Sequence, residues 1–304
     1  MPSARVSVEV GGRHLSLSNL DKPLYPSFTK GEIIDYYTRI APVLLPHLKD
    51  RPVTRIRFPN GVDGTRFFEK NAPRGVPDWV RRVRIDTPGG RNDSVDYVMV
   101  DDLPTLVWCA NLAALELHVP QWRVGSAPDL IVFDLDPGEP ATITEACTVA
   151  LLLKDLLAED GLTAYPKTSG KKGLHLYVPV DGTTDTADYA RRAAARLEQE
   201  HGGLVTGKME RRLRPGKVFL DWSQNSGSKT TVAAYSLRAA PEPYVSTPLS
   251  WDEVEDPGDL RFTAEEVLER VDKHGDLLAP LLGRLMSPKA SGESHGGSRW
   301  ASGL

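Results

Sequence analysis

Leu130-Ile131-Val132-Phe133-Asp134-Leu135-Asp136-Pro137-Gly138 is the stretch on which the reading of this chain turns. An apolar run that stops at a Pro-Gly turn is a buried strand reaching its end. Asp134 and Asp136 lie two residues apart, so on a strand both project from one face, with Cα atoms roughly 7 Å apart. Two carboxylates held there repel and raise one another's pKa unless a cation sits between them. Hard oxygen donors suit Mg²⁺ or Mn²⁺ rather than zinc. Taken alone, the pair also fits an exposed strand-end turn in which Asp caps the following loop.

Working outward, Lys217-Val218-Phe219-Leu220-Asp221-Trp222 ends a second apolar strand on a carboxylate. If that strand neighbours the first, Asp134, Asp136 and Asp221 form the acidic set of a two-metal phosphoryl-transfer site. Between them, Lys167-Thr168-Ser169-Gly170-Lys171-Lys172-Gly173-Leu174-His175 is a Gly-rich loop leading into a strand. Its backbone N–H groups, Ser169 hydroxyl and lysines can cradle a triphosphate. It is not a Walker A sequence, since the spacing differs and a strand follows; a surface hairpin is the alternative. Beyond Asp221, Lys229 and Arg238 flank a further strand, and Arg214 lies in the turn before it. Arg can meet phosphate in bidentate fashion. His118, after a predicted helix, and His175, within a strand, each read by themselves as structural.

The chain has 304 residues, 40% hydrophobic and 26% charged, with a net charge of −4. That is an ordinary globular composition with enough length for a sizeable core. Net charge does not decide a nucleic-acid partner; clustering does. Residues 51–84 hold nine basic and three acidic side chains, and 204–238 hold seven and two, whereas 251–276 hold ten acidic and three basic. Two basic segments thus bracket the carboxylates. The two cysteines, Cys109 and Cys147, sit in apolar patterns and fit buried thiols in a reducing compartment. No zinc-finger spacing, signal-peptide core or membrane-length apolar run is present, so a cytoplasmic protein is expected.

Thr29-Lys30-Gly31-Glu32, Thr142-Ile143-Thr144-Glu145 and Thr263-Ala264-Glu265-Glu266 are capping-box patterns that start helices. Residues 106–117 and 187–200 also read as helices. Strands are expected at 6–10, 53–58, 95–100, 130–136, 174–178, 218–222 and 231–236. The mixture predicts an α+β (mixed α/β) fold with two central sheets flanked by helices. One catalytic domain of two closely packed lobes is expected over 1–286, with a flexible Ser/Gly-rich tail over 287–304.

Together these motifs resemble the polymerase domain of bacterial ATP-dependent DNA ligase D and its stand-alone primase-polymerase relatives, in the archaeo-eukaryotic primase superfamily. The resemblance rests on DLDPG at Asp134 to Gly138, SGxKGLH at Ser169 to His175, and DWSQN…KTT…YSLR from Asp221 to Arg238, and runs over residues 15–282. It implies a primase-like catalytic core in which Asp134, Asp136 and Asp221 are catalytic and bind two metal ions, Mn²⁺ or alternatively Mg²⁺. It implies that Ser169, Lys172, His175, Arg214, Lys229 and Arg238 hold an NTP or dNTP, with Gln224 and His118 near the sugar or metal. Asn19, Lys22 and Lys30 match contacts to a downstream 5′-phosphate, where a helix N-terminus already favours an anion. Phe67 and Phe68 match an aromatic pair that stacks on template bases; on a strand, both cannot enter one core.

The implied function is nucleotide addition to DNA 3′ ends, gap filling and end extension in non-homologous end joining. The implied partners are DNA with 5′-phosphorylated ends or gaps, Ku and a DNA ligase; the implied state is a monomer at the bacterial nucleoid. The chain departs from the pattern in the extra cation Lys171, a shortened Lys22-to-Lys30 interval and a short 121–130 segment. It is expected to be an excised domain or an independent enzyme. A non-catalytic DNA-end binding module that recruits repair partners, which needs no paired carboxylates, and a two-metal nuclease, which needs no triphosphate cations, are the competing readings.

Overall fold

The computed structural model describes residues 5–87 and 93–286, and the expected tail at 287–304 lies outside the described residues. Leu130–Pro137 is the middle strand of a five-stranded sheet. Leu174–Pro179 and Val218–Asp221 flank it, both antiparallel. Tyr165–Thr168 and Val205–Thr206 form the edges, the latter parallel to its neighbour.

The middle strand is apolar on both faces for a specific reason. Ile131, Phe133 and Leu135 enter a core shared with helices Ile143–Glu159 and Thr186–His201. Leu130 and Val132, on the other face, enter a second core belonging to the second sheet. Past Val132 the same alternation sets Asp134 and Asp136 on the face where Leu130 and Val132 were buried. The acidic pair therefore begins where the second core stops.

The second sheet runs in the order Thr231–Val232, Ala114–Val119, Pro52–Arg57, Ser94–Met99, Arg82–Asp86, with Phe67–Glu69 also paired to Pro52–Arg57. Helices Lys30–Leu48 and Leu103–Asn111 supply Ile33, Tyr37, Leu44 and Leu106 to its core. Thr29 with Glu32, Thr142 with Glu145 and Thr263 with Glu266 form the capping boxes read from sequence, and Ser250 with Glu253 forms another. No helix among the described residues is long and apolar enough to cross a membrane.

Two elements differ from expectation. The predicted helix over 106–117 is helix Leu103–Asn111 followed by strand Ala114–Val119. Asp102 caps the helix by accepting from Thr105 N–H, and Ala113, at φ 58°, ends it in the left-handed region. Pairing with Pro52–Arg57 then overrides the helical propensity of Ala-Leu-Glu-Leu. His118 accordingly sits within a strand, not after a helix. The predicted strand over 231–236 shortens to Thr231–Val232, because the chain turns at Tyr235, φ 64°.

One glycine is fixed by close approach. A Cβ on Gly173 would lie 2.2 Å from the Leu135 carbonyl oxygen, so only glycine lets the Gly-rich loop meet the carboxylate strand. Gly173→Ala should cost about 1–3 kcal/mol, the usual price of overpacking, read as a lower urea midpoint. Gly227→Ala, where a Cβ meets nothing within 4 Å, should leave the midpoint nearly unchanged; equal effects would remove the steric account.

Candidate active site

The ladders of the first sheet assemble the site. Asp134 is the register partner of His175 on one side and of Asp221 on the other. Directly opposed residues share a face, so His175, Asp134 and Asp221 form a row across three strands, with Asp136 two residues further along. The His175 Nε2 lies 3.3 Å from Asp134 Oδ1, and Lys172 Nζ lies 3.4 Å from Asp136 Oδ1. Gln224 Nε2 donates to Asp221 Oδ2 at 2.9 Å and to Asp134 Oδ2 at 3.4 Å. Ser223 donates to Asp221 Oδ1 through its N–H at 3.0 Å and its hydroxyl at 2.6 Å.

The turn carrying Ser223 and Gln224 is a short 3₁₀ segment, Trp222–Asn225. The buried Asn225 side chain pins it to the carboxylate strand, accepting from Val132 N–H and donating to Val132 C=O, both at 2.8 Å. An Asn at the end of DWSQN gave no such signal in sequence, because its partner lies 93 residues away.

Electrostatics separate the carboxylates. Burial pushes Asp134 up, but His175, Lys167 and Arg238 outweigh it and hold the carboxyl below its ordinary value. Asp136 is raised by burial and by Asp134, against the opposing pull of Lys172 and Arg214. Burial, with Lys167 beside it, pushes His175 down to about 4 against the opposing pull of Asp134. At neutral pH the imidazole is neutral.

Among the described residues no three His, Cys, Asp or Glu side chains are gathered closely enough to hold a metal ion as they stand. Gln224 spans Asp134 and Asp221, and Lys172 offsets Asp136. The donor chemistry nonetheless fits a hard divalent cation: every acidic donor is a carboxylate oxygen.

The row opens on a cleft of about 1010 Å³. Of the residues singled out in the sequence, His118, Asp134, Asp136, Ser169, Lys172, His175, Gln224 and Arg238 line it, and Lys171 joins them. The Ser169 hydroxyl accepts from the N–H groups of Lys171 at 3.3 Å and Gly173 at 3.2 Å, closing the Gly-rich loop on itself. Asp221 lies behind Gln224, outside the lining. Arg214 and Lys229 do not line the cleft either. The Arg214 guanidinium lies 3.5 Å over the Phe219 ring and donates to Met209 C=O at 2.9 Å, while Lys229 is exposed beside the cleft residues Thr230 and Thr231.

Asn19, Lys22 and Lys30 meet at the N-terminus of helix Lys30–Leu48, and none lines the carboxylate cleft. Lys22 N–H donates to Asn19 C=O at 3.1 Å, and Lys30 N–H to Lys22 C=O at 2.9 Å. The buried Lys30 ammonium donates to Ser18 C=O at 2.5 Å, and Lys22 to Pro59 C=O at 2.6 Å. Burial, with Lys22 and Arg57 nearby, lowers Lys30 to about 8. Phe67 and Phe68 are 44% and 55% exposed; their three-residue strand hangs on Pro52–Arg57 alone, so neither face is covered.

Two buried ionisable groups were given no role by the sequence reading. Lys167 is fully buried, donates to the Ser246 hydroxyl at 2.5 Å and sits 5.2 Å from the Tyr177 ring centroid. Glu116 is buried beside His118, Nε2 to Oε2 2.8 Å. The alternation Ala114-Leu115-Glu116-Leu117-His118 would have put both on one strand face; reading 106–117 as helix hid it.

The family model described as LigD, primase-polymerase domain, matches residues 29–278. The multifunctional non-homologous end joining protein LigD of Mycolicibacterium smegmatis is 47% identical over 274 residues, 87% of this chain and 36% of that protein. The bifunctional LigD of Bacillus subtilis is 34% identical over 269 residues, 86% and 43% respectively. The matched segment thus spans less than half the length of each of these relatives. Among solved structures, the polymerase domain from Mycobacterium tuberculosis ligase D in complex with DNA superposes with a TM-score of 0.84 at 45% identity, covering 88% of this chain and 98% of that one. With the carboxylate row inside the matched segment, the chain belongs to the LigD primase-polymerase domain family, whose members are DNA-directed nucleotidyltransferases of non-homologous end joining.

Proposed function

We propose that this chain adds nucleotides from NTPs or dNTPs to DNA 3′ ends, extending ends and filling gaps during break repair. The observation that carries the reading is the row Asp134, Asp136 and Asp221, the first two of which line a cleft walled by Lys171, Lys172 and Arg238. A module that only held DNA ends would gain nothing from gathering like charges in one place, where they repel one another.

Asp134, Asp136 and Asp221 are the residues that would hold divalent ions, Mn²⁺ or Mg²⁺. Bound there, such ions activate the attacking 3′ hydroxyl and neutralise charge on the triphosphate. Lys172, Arg238 and the Ser169 loop bind the phosphates, with Lys229 at the margin. His118 and Gln224 face the sugar side. His175, neutral, orients Asp134 without adding charge. Arg214, stacked on Phe219, acts on Asp136 through its field. Lys22, Lys30 and Asn19 take the 5′-phosphate across a gap, and Phe67 and Phe68 stack on template bases. Ku and a ligase are the partners this role calls for, in the cytoplasm beside bacterial DNA.

Asp136→Ala should lower nucleotide incorporation on a 5′-phosphorylated gapped duplex by about 10²-fold or more, the scale of losing one transition-state charge stabiliser. DNA affinity should hold within roughly twofold, since phosphate contacts elsewhere supply it. Retained synthesis would remove the assignment. Chelation should abolish incorporation in the unaltered chain, and Mn²⁺ should restore it.

The Lys30 ammonium, lowered to about 8, is charged at pH 7 and loses its proton as pH rises through that value. Preference for a 5′-phosphorylated over an unphosphorylated gap should therefore be full at pH 7 and fall by up to about tenfold per unit above pH 8. A preference flat to pH 9.5, or one that survives Lys30→Ala, would show that Lys30 does not bind the phosphate.

A further inference from the structure

Glu116 is a carboxylate with a side chain only 5% exposed, standing on strand Ala114–Val119 between leucines that enter the core. It touches neither the carboxylate row nor the DNA-end pocket, and an apolar side chain would fill a strand interior at lower cost. Its contacts instead gather three separate stretches of the cleft wall. Oε2 accepts from His118 Nε2 at 2.8 Å. Oε1 accepts from Ala239 N–H at 2.9 Å and lies 3.5 Å from Arg238 Nε and 4.0 Å from Lys171 Nζ.

His118, Lys171 and Arg238 all line the cleft. Arg238 brings its buried Nε within 3.5 Å of the Glu116 carboxylate without a hydrogen bond, and its two terminal nitrogens remain to meet phosphate oxygens. His118 gives its Nε2–H to the same carboxylate, so Nδ1 keeps its lone pair and suits a hydroxyl donor better than an anion. Without Glu116, Arg238 and Lys171 would lose the one carboxylate that lies beside both of them.

We propose that Glu116 is a positioning residue of the nucleotide site: it holds Arg238, Lys171 and His118 in place before a nucleoside triphosphate arrives. The inference rests on the reading of the cleft as that site. Preorganised donors bind more tightly because the ligand does not bear the cost of ordering them. The sign of the effect sets this role apart from a mere nearby charge. An anion close to a triphosphate repels it, so removing the charge alone would strengthen binding; removing a positioning anchor weakens it.

The test compares the full chain with Glu116→Gln, which keeps the shape and removes the charge. ATP with Mn²⁺ is titrated calorimetrically, and KM and kcat for ATP are measured on a 5′-phosphorylated gapped duplex. Glu116→Gln should raise both the Kd and the KM about tenfold or more, with kcat at saturation changed less than threefold. Affinity for the gapped duplex should stay within twofold. ATP binding that is unchanged or tighter would overturn the proposal. If Glu116→Gln loses its cooperative thermal transition, Glu116→Asp keeps the charge and withdraws it by one methylene: a several-fold weaker Kd supports the positioning role, and an unchanged Kd overturns it. An unaltered chain that binds no ATP would refute the nucleotide reading itself, whatever Glu116 does.

Discussion

Asp134 carries its charge where two antiparallel ladders meet, and most of what the molecule does follows from that register. The Leu174–Pro179 strand brings His175 against it, and the Val218–Asp221 strand brings Asp221. A slip of one residue in either ladder would turn the incoming side chain to the opposite, helix-covered face. The register is held by apolar residues on that face. Leu135 is flanked by Leu174 and Leu220, all fully buried. Asn225 adds a second clamp, closing on both backbone groups of Val132. The chemistry is thus positioned by packing on the side of the sheet where no chemistry occurs.

A second constraint is charge balance in partly enclosed surroundings. Asp134, Asp136, Asp221 and Glu116 stand against Lys167, Lys171, Lys172 and Arg238, with two imidazoles between them. The balance is local: Glu116 is drawn down to about 2 although burial opposes it, because His118, Arg238 and the Ala239 N–H surround it. Asp136 is raised by burial and by Asp134, with Lys172 at 3.4 Å pulling the other way. The group left least satisfied is the one at the cleft mouth, where a polyanionic substrate and its cations would arrive together.

The lysine pair at the start of helix Lys30–Leu48 uses different physics. Lys30 and Lys22 are held by backbone carbonyls at the start of a long helix, not by carboxylates. Neither ammonium pairs with a carboxylate among the described residues, and burial, with Lys22 and Arg57 nearby, lowers Lys30. One chain thus holds a cleft with paired charges and, apart from it, a pocket of carbonyl-held cations.

Much of this was legible in the residues. The acidic pair at the end of an apolar strand, the Gly-rich loop, the third carboxylate and the capping boxes are local patterns with local causes, and the mixed α+β class follows from their alternation. The 106–117 segment was misread because Ala-Leu-Glu-Leu favours a helix locally, while the partner that makes it a strand lies near residue 55. That error hid Glu116, whose role depends on Lys171 and Arg238 approaching from two other parts of the chain. By itself the sequence determined which strand ends carry carboxylates and where the Gly-rich loop leads into a strand, because short-range alternation and turn propensity are written in neighbouring residues. Only the tertiary structure decided that Asp221 faces Asp134, that Arg214 stacks on Phe219 away from the cleft lining, and that one buried carboxylate gathers three cleft-lining groups. Those facts depend on strand register and long-range packing, which no local pattern encodes.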